Sequence, residues 1–163
     1  MLPSLLASVP TDVPLSIYGA GPNWVYAALA AHTYGQPLYQ FDPRLPFGWI
    51  QPLRLQLSTK QLPEVIMQTY DQQNATVLSL QIPSKHLDYF QPGPLPIPPV
   101  RTDGGLIIDG ITPFWLLTAL VRLYKEAGVA WIAVYYPQSK EAIIVYSRIV
   151  RYKPGDAIPK PSV

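Results

Sequence analysis

The first third of the chain has the hydrophobic pattern of one strand, one helix and two further strands. Short apolar runs flank a segment in which apolar residues recur at helical spacing, and a turn containing Pro43 precedes the last run. Trp24, Ala28 and Leu29 give that helix one buried face. The pattern predicts strands at residues 13–18, 38–41 and 47–57, and a helix at residues 22–34.

The same order of elements returns about 91 residues later, which indicates an internal repeat. Residues 15–24 fall on residues 106–115, and in each copy a strand ends at glycine and a proline opens the following helix. Thr112 is a plausible N-cap for the second helix. The second copy predicts strands at residues 105–109, 129–135 and 142–147, and a helix at residues 113–127.

The segment between the two copies predicts a helix, a strand and one helical turn. Its first apolar side chains fall on one side of a helix that Ser58 or Thr59 could cap. Apolar and polar residues then alternate, as in a strand. The helix would carry Leu62, Val65, Ile66 and Tyr70, the strand covers residues 75–82, and the helical turn covers residues 84–90.

These patterns predict an α/β fold. We expect a mixed sheet built from two βαββ half-repeats related by a pseudo-two-fold, with the helices packed on the sheet. The chain is expected to form a single domain over residues 1–163. The half-repeats would cover residues 11–57 and 75–153, and a helical segment at residues 58–74 would link them.

The composition narrows the function classes. Hydrophobic residues make up 48% of the 163 residues and charged residues 13%, which favours one well-cored domain. Without cysteine the chain can hold no thiolate zinc, iron–sulfur cluster or disulfide. The net charge of +2 predicts no binding to duplex DNA or to an anionic membrane. The apolar residues 1–9 lack a basic start, so we expect no signal peptide and a cytoplasmic protein.

Proline makes up 20 of the residues, and five prolines fall within residues 91–99. Each ring fixes φ and removes a backbone donor, so this segment is expected to be extended. It would serve either as a stiff connector inside the fold or as a ligand for a proline-reading domain.

The turn between the first strand and the first helix is a candidate phosphate site. Gly19, Ala20, Gly21 and Asn23 lie where the free N–H groups and the positive dipole end of a helix favour an anion. Thr112 occupies the matching turn of the second copy and is a further candidate ligand residue. A purely structural turn is the alternative for both.

Asp42 and Arg44 follow the second strand, at the strand end where open α/β sheets place ligand groups. The carboxylate could orient a nucleophile or a metal, and the guanidinium could stabilise charge on phosphorus. An ordinary Asp-Pro turn is the alternative. His32 ends the first helix, where it could simply cap helical carbonyls.

These strings resemble the motifs of a small CRISPR-associated family. Residues 19–24 resemble its Gly-x-Gly-Pro-x-Trp turn, residues 31–34 its Ala-His-x-Tyr helix end, and residues 41–45 its Tyr-Asp-Pro-Arg-Leu turn. The family is described as manganese-dependent nucleases acting on RNA 3′ ends. It is also described as ring nucleases that cut cyclic tetra-adenylate, the second messenger of type III CRISPR defence, with a site shared between two subunits.

The resemblance implies roles for the candidate residues. Asp42, Arg44 and His32 would be catalytic, the glycine-containing turn and Thr112 would bind the ligand, and manganese would be the cofactor, with unknown ligands. The partner would be cyclic oligoadenylate or an RNA 3′ end. The protein would act as a monomer that mimics a dimer, or as a homodimer.

The chain departs from the family pattern at three points. A further histidine that the family places after its Ala-His-x-Tyr segment is absent from residues 35–37. In the second copy, residues 122–125 replace Ala-His-x-Tyr, and residues 136–138 replace Asp-Pro-Arg. Two hypotheses follow: a CRISPR-associated protein that binds cyclic tetra-adenylate, with or without hydrolysing it, or a catalytically inactive scaffold that binds nucleotides or partners.

Overall fold

A computed structural model describes residues 1–90 and 92–161 of the chain. Within these residues it has three helices and eleven strands. The helices are α1 (Leu2–Ser8), α2 (Asn23–His32) and α3 (Phe114–Glu126). The strands are β1 (Leu15–Ile17), β2 (Leu38–Phe41), β3 (Trp49–Ile50), β4 (Leu55–Leu57), β5 (Ile66–Asp71), β6 (Ala75–Gln81), β7 (Leu95–Ile97), β8 (Gly105–Asp109), β9 (Trp131–Tyr136), β10 (Glu141–Ser147) and β11 (Ala157–Pro159).

The largest sheet has six strands in the order β11-β10-β9-β8-β6-β5. Its central strands β6, β8 and β9 run parallel, and the remaining pairs are antiparallel. Leu106, Ile107 and Ile108 of β8 are almost fully buried, as continuous apolar strands of a covered parallel sheet should be.

Two smaller sheets lie beside it. In one, β1 pairs in parallel with β2, and β2 pairs antiparallel with β3; in the other, β4 pairs in parallel with β7. Helix α2 packs against α3, β9 and β10, and α3 also contacts β4 and β9. The α/β class, with mixed sheets and helices packed on them, is therefore confirmed.

Both long helices predicted from the sequence are confirmed, each a few residues shorter than expected. The strands predicted at 38–41 and 105–109 match β2 and β8. The strand predicted at 47–57 is two short strands, β3 and β4, which join different sheets. The sequence patterns missed α1 and β11.

The predicted helical link at residues 58–74 is wrong. Leu62 and Val65 form an isolated bridge, and residues 66–71 form β5, which pairs with β6 in a hairpin. The apolar residues of this segment have helical spacing, but pairing with β6 makes it a strand. These residues are Leu62, Val65, Ile66 and Tyr70. The helical turn expected at residues 84–90 is also absent, and Lys85 there has a left-handed backbone with φ of 56°.

Thr112 is not the N-cap of α3. That position is held by Pro113, and no side chain caps the helix. Pro22 holds the same position at α2, so each proline stands just before the helix instead of at its first residue.

The two predicted copies have the same pairing order. In each, a strand pairs in parallel with the strand after the helix, which then pairs antiparallel with the next strand. The first copy's strands lie in the three-stranded and two-stranded sheets, and those of the second lie in the six-stranded sheet. The duplication and its pseudo-two-fold stay predictions.

Two side chains of the proline-rich segment lie in the core. Its described residues, 92–99, include β7, in which Leu95 and Ile97 are fully buried. Gln91 lies outside the described residues. The extended conformation agrees with the stiff connector, and their burial keeps these two side chains from contacting another protein.

Candidate functional site

A cavity of about 1070 Å³ opens where the two strand-to-helix turns meet. Its walls come from the turn before α2, the end of β2 and its following turn, the end of β6 with the loop after it, and the turn before α3. The lining residues are Tyr18, Gly19, Ala20, Tyr26, Gln40, Phe41, Asp42, Pro43, Arg44, Ile50, Leu80, Gln81, Ile82, Lys85, Leu87, Ile111, Thr112, Pro113, Phe114 and Trp115.

Each of the two turns depends on a glycine in a left-handed conformation. Gly19 has φ of 118° and Gly110 has φ of 129°. A Cβ at Gly110 would lie 2.2 Å from the Leu80 carbonyl oxygen, whereas a Cβ at Gly19 would meet nothing within 4 Å. The second turn is thus closed against β6, and the first turn is open toward the cavity. The Tyr26 hydroxyl also ties the first turn to α2 by donating to the Gly19 carbonyl.

Asp42 and Arg44 form a bidentate ion pair on the cavity wall. Arg44 Nε donates to Asp42 Oδ1 at 2.8 Å and Nη2 donates to Oδ2 at 2.5 Å, while the Arg44 backbone N–H donates to Oδ1 at 3.0 Å. The Asp42 side chain is 10% exposed and that of Arg44 is 71% exposed. The carboxylate therefore anchors the guanidinium, and the guanidinium faces the solvent side of the cavity.

This pairing governs the protonation of Asp42. Hydrogen bonds from Arg44 hold the pKa of the Asp42 carboxyl below its ordinary value, although partial burial acts in the opposite direction. The side chain of Trp115 on α3 adds a smaller effect that also lowers this pKa. A carboxylate with a lowered pKa is a weak general base, so Asp42 is suited to positioning Arg44.

The cavity has excess positive charge and aromatic walls. Arg44 and Lys85 are its cations, and Asp42 is the carboxylate among the described lining residues. The rings of Tyr26 and Phe114 lie 4.1 Å apart between centroids. At the rim, Tyr18 packs edge-on against Phe41 at 5.1 Å. These features suit a ligand that has both anionic groups and flat apolar rings.

Gln40 is a second buried polar side chain of this wall, beside Asp42. It is 2% exposed, and its Nε2 donates to Thr118 Oγ1 of α3 at 2.6 Å. Its Oε1 has no hydrogen-bond partner among the described residues.

The predicted ligand residues are only partly brought together. Gly19, Ala20 and Thr112 line the cavity. Asn23 does not, because its Nδ2 donates to the Tyr135 carbonyl at 3.2 Å and its Oδ1 accepts from the Trp24 N–H at 2.8 Å. Gly21 also lies outside the lining, where a Cβ would come within 3.6 Å of the Tyr26 ring.

His32 is distant from Asp42 and Arg44. It ends α2, whereas the cavity lies at the start of that helix, about 14 Å away along the axis. Its Nε2 lies 3.1 Å from the Val9 carbonyl oxygen, in a contact with the chain that follows α1. His32 therefore joins two segments of the fold, and the predicted catalytic trio does not assemble within one chain.

The donor set does not fit a manganese centre. Among residues 1–90 and 92–161, no three or more His, Asp and Glu side chains are grouped so that they could hold a metal ion. At the cavity, both oxygens of the Asp42 carboxylate already bond Arg44. No step through a metal follows from these residues.

Residues 80–159 match the family model described as CRISPR-associated protein (Cas_csx3). This part of the chain is thus similar to a CRISPR-associated family. The Cas_csx3 match begins at the end of β6 and includes the loop and the α3 turn that wall the cavity, whereas the motifs quoted from the sequence lie in residues 19–45. No curated protein matches this chain. Across the described part of the chain, no helix has both the length and the apolar character needed to cross a bilayer.

Sequence reasoning missed the polar residues Gln40 and Lys85 of this site and its aromatic residues Tyr18, Tyr26 and Phe114. Gln40 precedes Asp42 by two positions on a strand, so the alternation of side chains already predicts that both face one way. Lys85 gave no such signal, because its position depends on β6 lying beside β8, a long-range pairing.

Proposed function

We propose that the cavity binds cyclic tetra-adenylate and that binding, not hydrolysis, is its main task. The observation that carries this proposal is the meeting of the Asp42–Arg44 pair, Lys85 and an aromatic wall in one cavity of about 1070 Å³. That volume is at the top of the range of small-molecule sites, which fits a ligand larger than a mononucleotide. The match to a CRISPR-associated family agrees with the motif resemblance from which this ligand is taken.

Phosphate recognition would fall to the cations and the helix starts. Arg44 is held in place by Asp42 and keeps N–H donors on its exposed side, so it can bind a phosphate without first being ordered. Lys85 also lines the cavity, on the loop after β6. The N-terminal turns of α2 and α3 add a positive potential from two directions.

Base recognition would fall to the rings. Tyr26 and Phe114 lie within the cavity wall, and Tyr18 and Phe41 lie at its rim. Stacking on aromatic side chains contributes about 1–3 kcal/mol per base in single-strand binders. A cyclic tetranucleotide can place its phosphates toward the cations and its bases against these rings.

Linearisation of the ring is the second candidate, because an acid and a guanidinium share the cavity wall. Cleavage would require a 2′-hydroxyl to lose its proton and attack the adjacent phosphorus while the 5′-oxygen leaves and gains a proton. The lowered pKa of Asp42 makes it a weak acceptor for the first proton. We therefore expect slow cleavage at most.

The test is an incubation of the protein with labelled cyclic tetra-adenylate, with and without manganese, that separates bound, free and cut ligand. We expect the protein to retain the cyclic tetra-adenylate largely uncut, both with and without manganese. Rapid cutting would replace it with the ring-nuclease hypothesis. No retention at micromolar protein would favour the scaffold that binds partners, whose contact surface would be the exposed rings of Tyr18, Phe47 and Trp49.

A further inference from the structure

Three aromatic rings form a row across one end of the three-stranded sheet. Phe41 of β2 pairs with Trp49 of β3, and Tyr18 directly follows β1, where it continues the parallel register beside Phe41. The ring centroids lie 5.1 Å apart for Tyr18 and Phe41, and 5.5 Å apart for Phe41 and Trp49. Each of the three strands thus supplies one ring, and we call these three residues the aromatic row.

The aromatic row lies on the solvent side of this sheet. Tyr18 is 74% exposed, Trp49 is 45% exposed and Phe41 is 36% exposed. The strand residues next to the row, Gln40 and Ile50, are buried, because side chains along a strand alternate between its two faces. The interplanar angles of the two close ring pairs are 61° and 70°, so these rings are not stacked face to face. A ligand can therefore reach the rings without any change in the fold.

The row continues the wall of the cavity outward. Tyr18 and Phe41 line the cavity, and Trp49 lies beside them, outside the lining. The hairpin that carries Phe41 and Trp49 is closed by the Asp42 N–H, which donates to the Gly48 carbonyl at 2.7 Å. A Cβ at Gly48 would lie 2.6 Å from the Phe41 ring, so glycine gives this ring its place. The row is thus a preformed surface that leads from the cavity to Trp49.

The charge beside the row favours a nucleotide over an apolar protein surface. Arg44 lies in the turn that joins Phe41 to Trp49, and its side chain is 71% exposed. Among residues 13–63, Asp42 is the one acidic residue, and it is already paired with Arg44. A guanidinium beside flat rings suits an unpaired nucleotide, whose phosphate meets the cation and whose base meets a ring. An apolar protein partner would instead bury this charge, which is costly.

We infer that the aromatic row stacks an adenine base that projects from the cavity when cyclic tetra-adenylate is bound, with Trp49 as the outer contact. This inference rests on the proposed binding of that ring, and it extends the site from the cavity onto the face of the sheet. A ring of four nucleotides carries four bases around its backbone, so a base directed away from the cavity meets this row.

The experiment measures the affinity for cyclic tetra-adenylate by titration calorimetry in variants of Trp49. Trp49→Leu keeps an apolar side chain on the strand but removes the ring, and it should bind about tenfold more weakly, as the loss of one stacked base predicts. Trp49→Tyr restores a flat ring and should recover most of that affinity. Phe47→Leu is the matched control and should bind like the unmodified protein. Phe47 is exposed in the same hairpin, but its ring packs against Phe90, outside the row.

A second measurement detects stacking itself. One adenine of the ring is replaced by 2-aminopurine, whose fluorescence falls when the base stacks on an aromatic ring. At saturating protein, the fluorescence should fall less with Trp49→Leu than with the unmodified protein or Phe47→Leu. A residue that only supports the fold would not change this signal at saturation.

The outcomes separate this inference from the proposed function. Unchanged affinity in Trp49→Leu, or an equal loss in Phe47→Leu, overturns the role of the row and leaves ring binding intact. Weaker binding with the same fluorescence at saturation in all proteins also overturns it, because Trp49 would then only support the hairpin. Failure of the ring to bind the unmodified protein overturns the proposed function and this inference together.

Discussion

The turn after β2 and the turn after β9 occupy matching positions, since each follows a helix and a strand paired in parallel. The first carries Asp42 and Arg44, whose ion pair lies on the cavity wall. The second carries Tyr136 and Pro137 and is closed by the Lys140 N–H, which donates to the Tyr136 carbonyl at 3.0 Å. The first turn holds the charged pair, and the second is a plain hairpin connection.

The ends of the two helices show the opposite distribution. The last turns of α3 carry Arg122 and Lys125, and both side chains donate to backbone carbonyls at the end of α2. Cations suit this position because the end of a helix has unpaired carbonyls and a negative dipole end. Charge in the turn after β2 therefore forms the candidate site, and charge on α3 holds the end of α2 in place.

The largest expected effect comes from the closed turn. Gly110→Ala forces a strained φ and a clash with the Leu80 carbonyl, and should lower the free energy of unfolding by about 4 kcal/mol. Gly19→Ala has the same backbone strain without the clash, so it should lower the free energy of unfolding by only about 1–2 kcal/mol. Urea unfolding of both variants measures the difference. Equal losses would contradict the contrast between a closed and an open turn.

The next largest effect tests whether hydrogen bonds from α3 stabilise the end of α2. Arg122 is half-buried and donates to the carbonyls of Ala30, Thr33 and Gln36 at 2.9–3.1 Å. Arg122→Ala leaves those acceptors unpaired and should lower the free energy of unfolding by about 2–3 kcal/mol.

Arg101→Ala is the control for that substitution, because it also removes an arginine side chain that donates hydrogen bonds, here to Asp103 at the surface. Its urea midpoint should stay close to that of the unmodified protein. A larger shift in Arg101→Ala than in Arg122→Ala would refute the supporting role of α3.

A smaller effect depends on pH. A carboxyl whose pKa is lowered by folding adds stability above its unfolded pKa, and that stability is lost as pH falls through the folded value. Asp42 has such a lowered pKa, from an ordinary value of 3.8. Asp42→Asn should therefore lower the free energy of unfolding by at most about 1 kcal/mol at pH 7, because Arg44 is exposed.

The difference in the free energy of unfolding between the unmodified protein and Asp42→Asn should shrink as pH falls below about 4. Urea unfolding curves at pH 7, 5, 4 and 3 measure it. A difference that grows in acid would mean that Asp42 is not held ionised by Arg44.

The sequence predicted those parts of the fold that depend on local pattern. Helices α2 and α3 and strands β2 and β8 follow from apolar spacing and from glycine and proline at their ends. Strand β5 could not be predicted, because the spacing of its side chains fits a helix equally well and only its pairing with β6 makes it a strand. Asp42 and Arg44 could be found because they follow a strand end, whereas the position of His32 at the far end of α2 removed it from the site. Lys85 could not be found, since the loop that carries it is placed by the pairing of β6 with β8.

Titration calorimetry of cyclic tetra-adenylate into the unmodified protein, Arg44→Ala and Arg101→Ala tests the central claim most directly. The account predicts saturable binding to the unmodified protein and to Arg101→Ala, and at least tenfold weaker binding to Arg44→Ala, as expected for the loss of a charge-assisted phosphate contact. Equal affinity in all three proteins, or no heat of binding in the unmodified protein, would contradict it.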